Sequence, residues 1–276
     1  MTTIHVAHSP DSDDAFMFYA LASGKIDTEG LTYVHQLQDI ETLNHRAMRG
    51  ELEVTAVSIH AYAYLSDKYA LLPHGASMGD RYGPRLVARS PMTKADLRGK
   101  RIAIPGTLTS AYLAMRIFEP DFEPVVTPFD QIEDAVLQGQ ADVGLLIHEG
   151  QLTYADSGLH LIQDLGEWWY GETGLPLPLG GNVVRKDLGD DLTRKISRHL
   201  HDSIAYGLEH RKAALDHSMQ YARGLEREKA DTFVGMYVNE WTLDYGPRGR
   251  KAVREFLQRG VDTGFITKPV NVEFVD

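Results

Sequence analysis

The stretch Asp142-Val143-Gly144-Leu145-Leu146-Ile147-His148-Glu149 limits what this chain can fold into more than any other. Small or apolar residues run unbroken from Val143 to Ile147, and His148 comes directly after. A short apolar run bounded by turn signals reads as a strand buried on both faces, as in parallel sheets. Upstream, Ile132, Ala135 and Val136 recur at helical spacing, and Gly139 stands where a helix C-cap belongs. His148 is therefore expected at the carboxyl end of a strand that comes after a helix. In open α/β sheets that edge faces the ligand crevice.

The same pattern occurs earlier. Arg49-Gly50-Glu51-Leu52-Glu53-Val54-Thr55-Ala56-Val57-Ser58 repeats the order of helix end, glycine, acidic residue, valine and strand, and closes on a polar residue. Each copy is preceded by a strand, a loop and a helix start: Ile4–Ala7 before Ala15, and Arg101–Ile104 before Ala111. Duplicated βαβ halves predict an α/β protein of two similar lobes with a central cleft. The chain is expected to leave lobe one near Arg89-Ser90-Pro91 and to return through the Pro/Gly segment Gly174–Gly181, which reads as irregular. Lobe one is then residues 1–91 with 181–276, and lobe two is residues 92–180.

Composition removes several function classes. A length of 276 residues allows one or two domains with a sizeable core, and 43% hydrophobic residues is ordinary for a globular chain. A formal net charge of −11 disfavours nucleic acid and anionic membrane surfaces as partners, so an anionic ligand needs local positive contacts. With no cysteine there is neither disulfide nor thiolate chemistry. The acidic N-terminus, with Asp11, Asp13 and Asp14, is unlike a secretory signal, and no run reaches a membrane-spanning length. A cytoplasmic location is expected.

The loops at the strand ends supply the candidate ligand contacts. After the strand at residues 4–8, Ser9-Pro10-Asp11-Ser12-Asp13-Asp14 leads into a helix from Ala15. Asp13 and Asp14 read as helix caps, whereas Ser9 and Asp11, nearer the strand tip, are as well placed for a ligand. Ser58 closes its strand as His148 closes the other, and it can also cap the next helix. In lobe two, Thr107, Thr109, Ser110 and Ala111 form a hydroxyl-rich loop at a helix start. Such a loop suits a carboxylate or a phosphate, although capping explains the same residues. Arg85, beside the Gly83-Pro84 turn, is a second candidate for the carboxylate.

The remaining signals are structural. Leu192, Ile196, Leu200, Ile204 and Leu208 recur every fourth residue and predict an amphipathic helix. His199, His201 and His210 fall on its solvated side, Phe233, Tyr237 and Trp241 read as core, and Trp168-Trp169 as packing or as a platform for a flat ring. Nucleotide-binding, zinc-hydrolase and nucleophile-elbow motifs are absent, and the twelve histidines form no compact metal set.

Taken together, Ser9-Pro10…Asp14-Ala15-Phe16, Glu41-Thr42-Leu43-Asn44, Ile147-His148-Glu149 and Trp168-Trp169…Thr173-Gly174-Leu175-Pro176-Leu177-Pro178-Leu179-Gly180 resemble the 1,4-dihydroxy-6-naphthoate synthases. These are late enzymes of the futalosine route to menaquinone. The resemblance implies a type II periplasmic-binding-protein-like fold used for catalysis. It also implies a carbon–carbon lyase acting on cyclic de-hypoxanthine futalosine, with His148 as proton-abstracting base and Ala56, Val57, Ser58, Ser110 and Ala111 at the substrate. Neither metal nor cofactor is expected, because forming an aromatic ring drives the cleavage. The usual signature Ser-Pro-Cys-Pro-Asn-Asp-Thr-Phe is here Ser9-Pro10-Asp11-Ser12-Asp13-Asp14-Ala15-Phe16. The alternatives are the chorismate dehydratase of the same pathway and a non-catalytic cytoplasmic binding protein for a small aromatic carboxylate. The oligomeric state is left open.

Overall fold

The computed structural model describes residues 2–222 and 224–275. The chain forms two sheets. The first holds β1 (Thr2–His8), β2 (Leu31–Leu37), β3 (Val54–Ser58), β4 (Tyr69–Leu71) and β5 (Ser77–Gly79). The second holds β6 (Arg85–Ala88), β7 (Arg101–Ile104), β8 (Glu123–Val126), β9 (Val143–Leu146) and β10 (His160–Asp164). The last strand, β11 (Leu177–Arg185), returns to the first sheet. The orders are β2-β1-β3-β11-β4, with β5 also on β11, and β10-β6-β9-β7-β8.

The internal repeat is visible in the strand pairing. β1 lies parallel between β2 and β3, and β7 lies parallel between β8 and β9. Val54 pairs with Val6, and Val143 pairs with Ile102. The acidic residue before each valine does the same work in both lobes. Glu53 Oε2 accepts the His5 N–H at 3.0 Å, and Asp142 Oδ2 accepts the Arg101 N–H at 3.0 Å. Each carboxylate thereby satisfies the backbone donor one residue before the parallel pairing begins, where an N–H without a partner is costly. Gly50 and Gly139, with φ of +68° and +75°, come after the helices α3 (Ile40–Met48) and α6 (Ile132–Leu137) as left-handed terminators.

Each sheet is completed by a strand from the crossing segments, antiparallel to the repeat's third strand: β11 beside β3, and β6 beside β9. Two expectations change as a result. Arg85–Ala88, expected in lobe one, belongs to the second sheet, so the first crossing falls between Gly79 and Arg85 rather than near Pro91. The segment Leu177–Gly181, expected to be irregular, is the first half of β11. Pro178 is tolerated because pairing to β3 begins only at Gly180, and the β5 register shifts between Pro178 and Gly180. Gly181 is dictated by packing, since a Cβ there would lie 2.3 Å from Tyr245 Oη.

The helix expected from Ala15 is two short ones, α1 (Ser12–Met17) and α2 (Tyr19–Ala22), broken at Phe18. The helix expected after His60 stops early, as α4 (Ile59–Tyr62). Lobe two carries α5 (Ser110–Phe118), α7 (Gly150–Thr153) and α8 (Leu165–Thr173). The C-terminal third is helical: α9 (Asp190–Glu209), α10 (Arg211–Ser218), α11 (Arg227–Tyr237), α12 (Glu240–Leu243) and α13 (Gly246–Asp262). Ile196, Leu200 and Ile204 of α9 pack with Ile4, Val6, Val54 and Val184 of the first sheet. Each such side chain, once buried, contributes about 1.5–3 kcal/mol. His199, expected on the solvated side of α9, is buried, and its Nδ1 lies 2.8 Å from Tyr33 Oη.

Candidate active site

The carboxyl ends of β1 and β3, the middle of β11 and the start of α5 meet around one cavity. Lobe one supplies Ser9, Asp11, Asp13, Asp14 and Met17 from the β1–α1 segment, and Ala56, Val57 and Ser58 from β3. Lobe two supplies Thr109, Ser110, Ala111, Ile147 and Gln151. Strand β11 adds Leu179, Gly180, Gly181 and Asn182, and α11 adds Phe233 and Tyr237.

Most of the hydroxyls in this wall are already engaged. Ser58 is held by Asn44, whose Oδ1 accepts the Ser58 N–H at 2.9 Å and whose Nδ2 donates to Ser58 Oγ at 3.1 Å. Thr109 Oγ1 caps α5, accepting from the Tyr112 N–H at 3.2 Å and donating to the Gly106 carbonyl at 2.9 Å. Ser110 Oγ donates to the Leu179 carbonyl at 2.5 Å and accepts the His60 N–H at 3.1 Å. What α5 can offer a ligand is therefore its first backbone N–H groups, at Ser110 and Ala111, with the positive end of the helix behind them.

Two candidates lie elsewhere. Thr107 is exposed and does not line the cavity. Arg85 is also outside it: Nε meets Asp164 Oδ2 at 3.2 Å, and the guanidinium donates to the Gln151 carbonyl. Arg85 thus ties β6 to β10 and to α7. Ile147 and Gln151 line the cavity, while His148 between them is set back. Its Nδ1 accepts the Gly150 N–H at 2.9 Å, and its ring stands edge-on to Phe129 with centroids 5.7 Å apart. Trp168 and Trp169 pack against Phe118 and Phe256 and do not form a platform.

The β1–α1 loop departs from the capping expectation. The N-cap of α1 is Asp11, whose side chain makes no capping hydrogen bond. Asp14 Oδ2 turns back and accepts the Ser9 N–H at 2.7 Å, while Ser9 Oγ donates to Asp11 Oδ2 at 2.8 Å. Asp13 and Asp14 thus line the cavity, each partly buried. Burial first, then the Asp14, Asp11 and Glu149 carboxylates, pushes Asp13 well above the usual carboxylate range. Burial pushes Asp14 up to about 6, against the Ser9 hydrogen bonds that favour its charged form.

Sequence reasoning missed Met17, Gln151, Asn182, Phe233 and Tyr237. Asn182 is 1% exposed and its Nδ2 donates to the Gly75 carbonyl at 3.2 Å. Tyr237 Oη donates to Gln151 Oε1 at 2.7 Å, and Ser12 Oγ donates to Glu149 Oε1 at 3.3 Å. Both contacts join the two sides of the cleft. Among the described residues no group of three or more His, Cys, Asp or Glu is placed to hold a metal. Among them, too, no helix is long and apolar enough to cross a membrane.

Two lobes, twice-crossed around a shared cavity, define a periplasmic-binding-protein-like α/β fold. The alkanesulfonate-binding protein of Xanthomonas axonopodis pv. citri superposes with a TM-score of 0.71 over 99% of this chain and 96% of its own, at 13% identity. Nearer relatives narrow the class. A protein of Archaeoglobus fulgidus with a crystal structure is 48% identical, with a TM-score of 0.92 over 95% of this chain and 98% of its own. The 1,4-dihydroxy-6-naphthoate synthase of Thermus thermophilus is 40% identical over 253 residues, 92% of each chain. Residues 4–262 match the menaquinone biosynthesis family, and the chain belongs to it.

Proposed function

We propose that this protein is a 1,4-dihydroxy-6-naphthoate synthase, splitting cyclic de-hypoxanthine futalosine into the dihydroxynaphthoate and a sugar-derived fragment in the cytoplasm. The observation that carries the reading is the pairing of family membership with the cavity between the ends of β3 and α5. The ring carboxylate sits on the Ser110 and Ala111 N–H groups, where the helix dipole supplies the positive potential that a chain of net charge −11 lacks overall. Val57 and Ala56 pack along the ring, and Ser9 and Asp11 meet the polar part of the substrate.

His148 removes the proton whose loss lets the carbon–carbon bond break, and the electron pair moves into the forming aromatic ring. An imidazole is the side chain suited to such a base near neutral pH. To reach the substrate the ring must leave the Gly150 N–H and turn towards the cavity past Ile147. Active-site hydrogen bonds in ligand-free enzymes often align only when substrate is bound. Incubating the purified protein with the cyclic futalosine derivative should yield the naphthoate, detected by mass spectrometry. No product from that substrate together with turnover of chorismate would overturn the reading in favour of the dehydratase. Tight binding with no turnover of either would favour a binding protein.

A further inference from the structure

Glu41, on α3 of lobe one, reaches across the cleft to the loop before α5. Its Oε1 accepts the Leu108 N–H at 3.2 Å, and Asn44 Nδ2 lies 3.4 Å from its Oε2. Asn44 is fully buried and is the residue that grips Ser58 at both its N–H and its hydroxyl. Lobe two is shaped to receive the carboxylate. Gly106 has φ of +154°, and a Cβ there would lie 2.3 Å from Glu41 Cδ and 2.6 Å from Oε2. Both the backbone and the space therefore require glycine. The Glu41 side chain is only 17% exposed, so the contact is sheltered from water and from screening.

These contacts form one connected path from the end of β3 to the start of α5. They also divide the donors of the loop: the protein's own carboxylate takes the Leu108 N–H, which leaves those of Ser110 and Ala111 for a ligand. We propose that Glu41 is a positioning residue, which through Asn44 and Leu108 locks the substrate-facing ends of the two lobes in register. The proposal rests on the reading of the cleft as the substrate site. Glu41 touches no reacting atom in this scheme. Its loss should weaken substrate binding and leave the chemical step largely intact.

Hydrogen–deuterium exchange of the ligand-free protein tests the latch without reference to the reaction. Glu41→Ala should speed exchange across residues 106–111 by about tenfold or more, the scale set by losing one charge-assisted hydrogen bond. Glu41→Gln keeps an acceptor for Leu108 and should stay within about threefold of wild type. Gly106→Ala, which displaces the Glu41 side chain from the opposite lobe, should reproduce Glu41→Ala. In steady-state assays KM should rise about tenfold for Glu41→Ala, with kcat within about threefold, and Glu41→Gln should rescue KM. Unchanged exchange in both Glu41→Ala and Gly106→Ala overturns the latch. So does an equal loss of melting temperature in Glu41→Ala and Glu41→Gln with KM unmoved, because the residue would then be purely structural. A wild-type protein that forms no naphthoate sinks the proposed reaction and leaves the exchange result standing.

Discussion

With the Gly150 N–H donating to Nδ1, the neutral His148 ring carries its proton on Nε2. In this orientation Nε2 is the donor, and in the proposed mechanism the turn towards the cavity frees Nδ1 to act as the base. Removing a general base costs on the order of 10²–10⁴ in rate, so His148→Asn should lose that much kcat while KM stays within a few-fold. A near-wild-type kcat would remove His148 from the chemistry. Asp13 is the other residue whose environment dictates a measurable outcome. Its carboxyl binds a proton more tightly folded than unfolded, so stability falls as pH rises above the ordinary carboxylate range, where only the unfolded chain has released it. Asp13→Asn should therefore stabilise the ligand-free protein, with a gain that grows from about pH 4 upward. Urea unfolding at a series of pH values checks this, and a gain independent of pH would refute it.

Among the elements, β6 shows how a charged residue near a cleft can belong to the frame instead of the site. Arg85 begins the strand and pairs with Asp164 at the end of β10, whose side chain is 7% exposed and also caps α8 through the Gly166 and Glu167 N–H groups. Burial raises the Asp164 carboxyl and the hydrogen bonds and Arg85 oppose it. Arg85→Ala leaves that carboxylate without its cation, a loss on the order of 1–3 kcal/mol once screening at a partly exposed arginine is allowed for. A lower melting temperature with KM within about twofold is expected. A tenfold rise in KM at unchanged stability would instead put Arg85 on the substrate.

For the molecule as a whole, buried neutral imidazoles set the acid limit. His8 stacks on Phe18 with centroids 4.4 Å apart, and its Nε2 lies 3.2 Å from His35 Nδ1. Burial first, and then His35, lowers His8 to about 3, while burial lowers His60 to about 4. A depressed histidine favours the folded state fully above its unfolded value of about 6.5, and this contribution is lost as pH falls through the window down to about 3. The contribution of these histidines should thus be lost on acidification below about pH 6.5, against the opposite trend from Asp13. His8→Gln should flatten that slope in chemical denaturation, and an unaltered slope would show that other groups carry it.

The repeat and its structural consequences were legible in the residues alone. Glycine after each helix, an acidic residue, then a valine-led apolar run is local chemistry: a left-handed terminator, a backbone acceptor and a strand. It was enough to predict the two lobes and to put Ser58 at a strand end on the cavity, but it put His148 there as well, and that side chain is set back. It could not assign β6, because a short strand's partner depends on which sheet has an open edge. Nor could it reveal that Leu177–Gly181 extends as a strand, since proline is excluded only where a ladder hydrogen bond is needed. Asp13 and Asp14 carry the same letters whether they cap a helix or line a cleft. Tyr237, far away in sequence, reads as ordinary core, and Asn182 carries no signal of its own. Their places were set by the folded chain, because burial and hydrogen-bond partners are properties of segments that folding brings together.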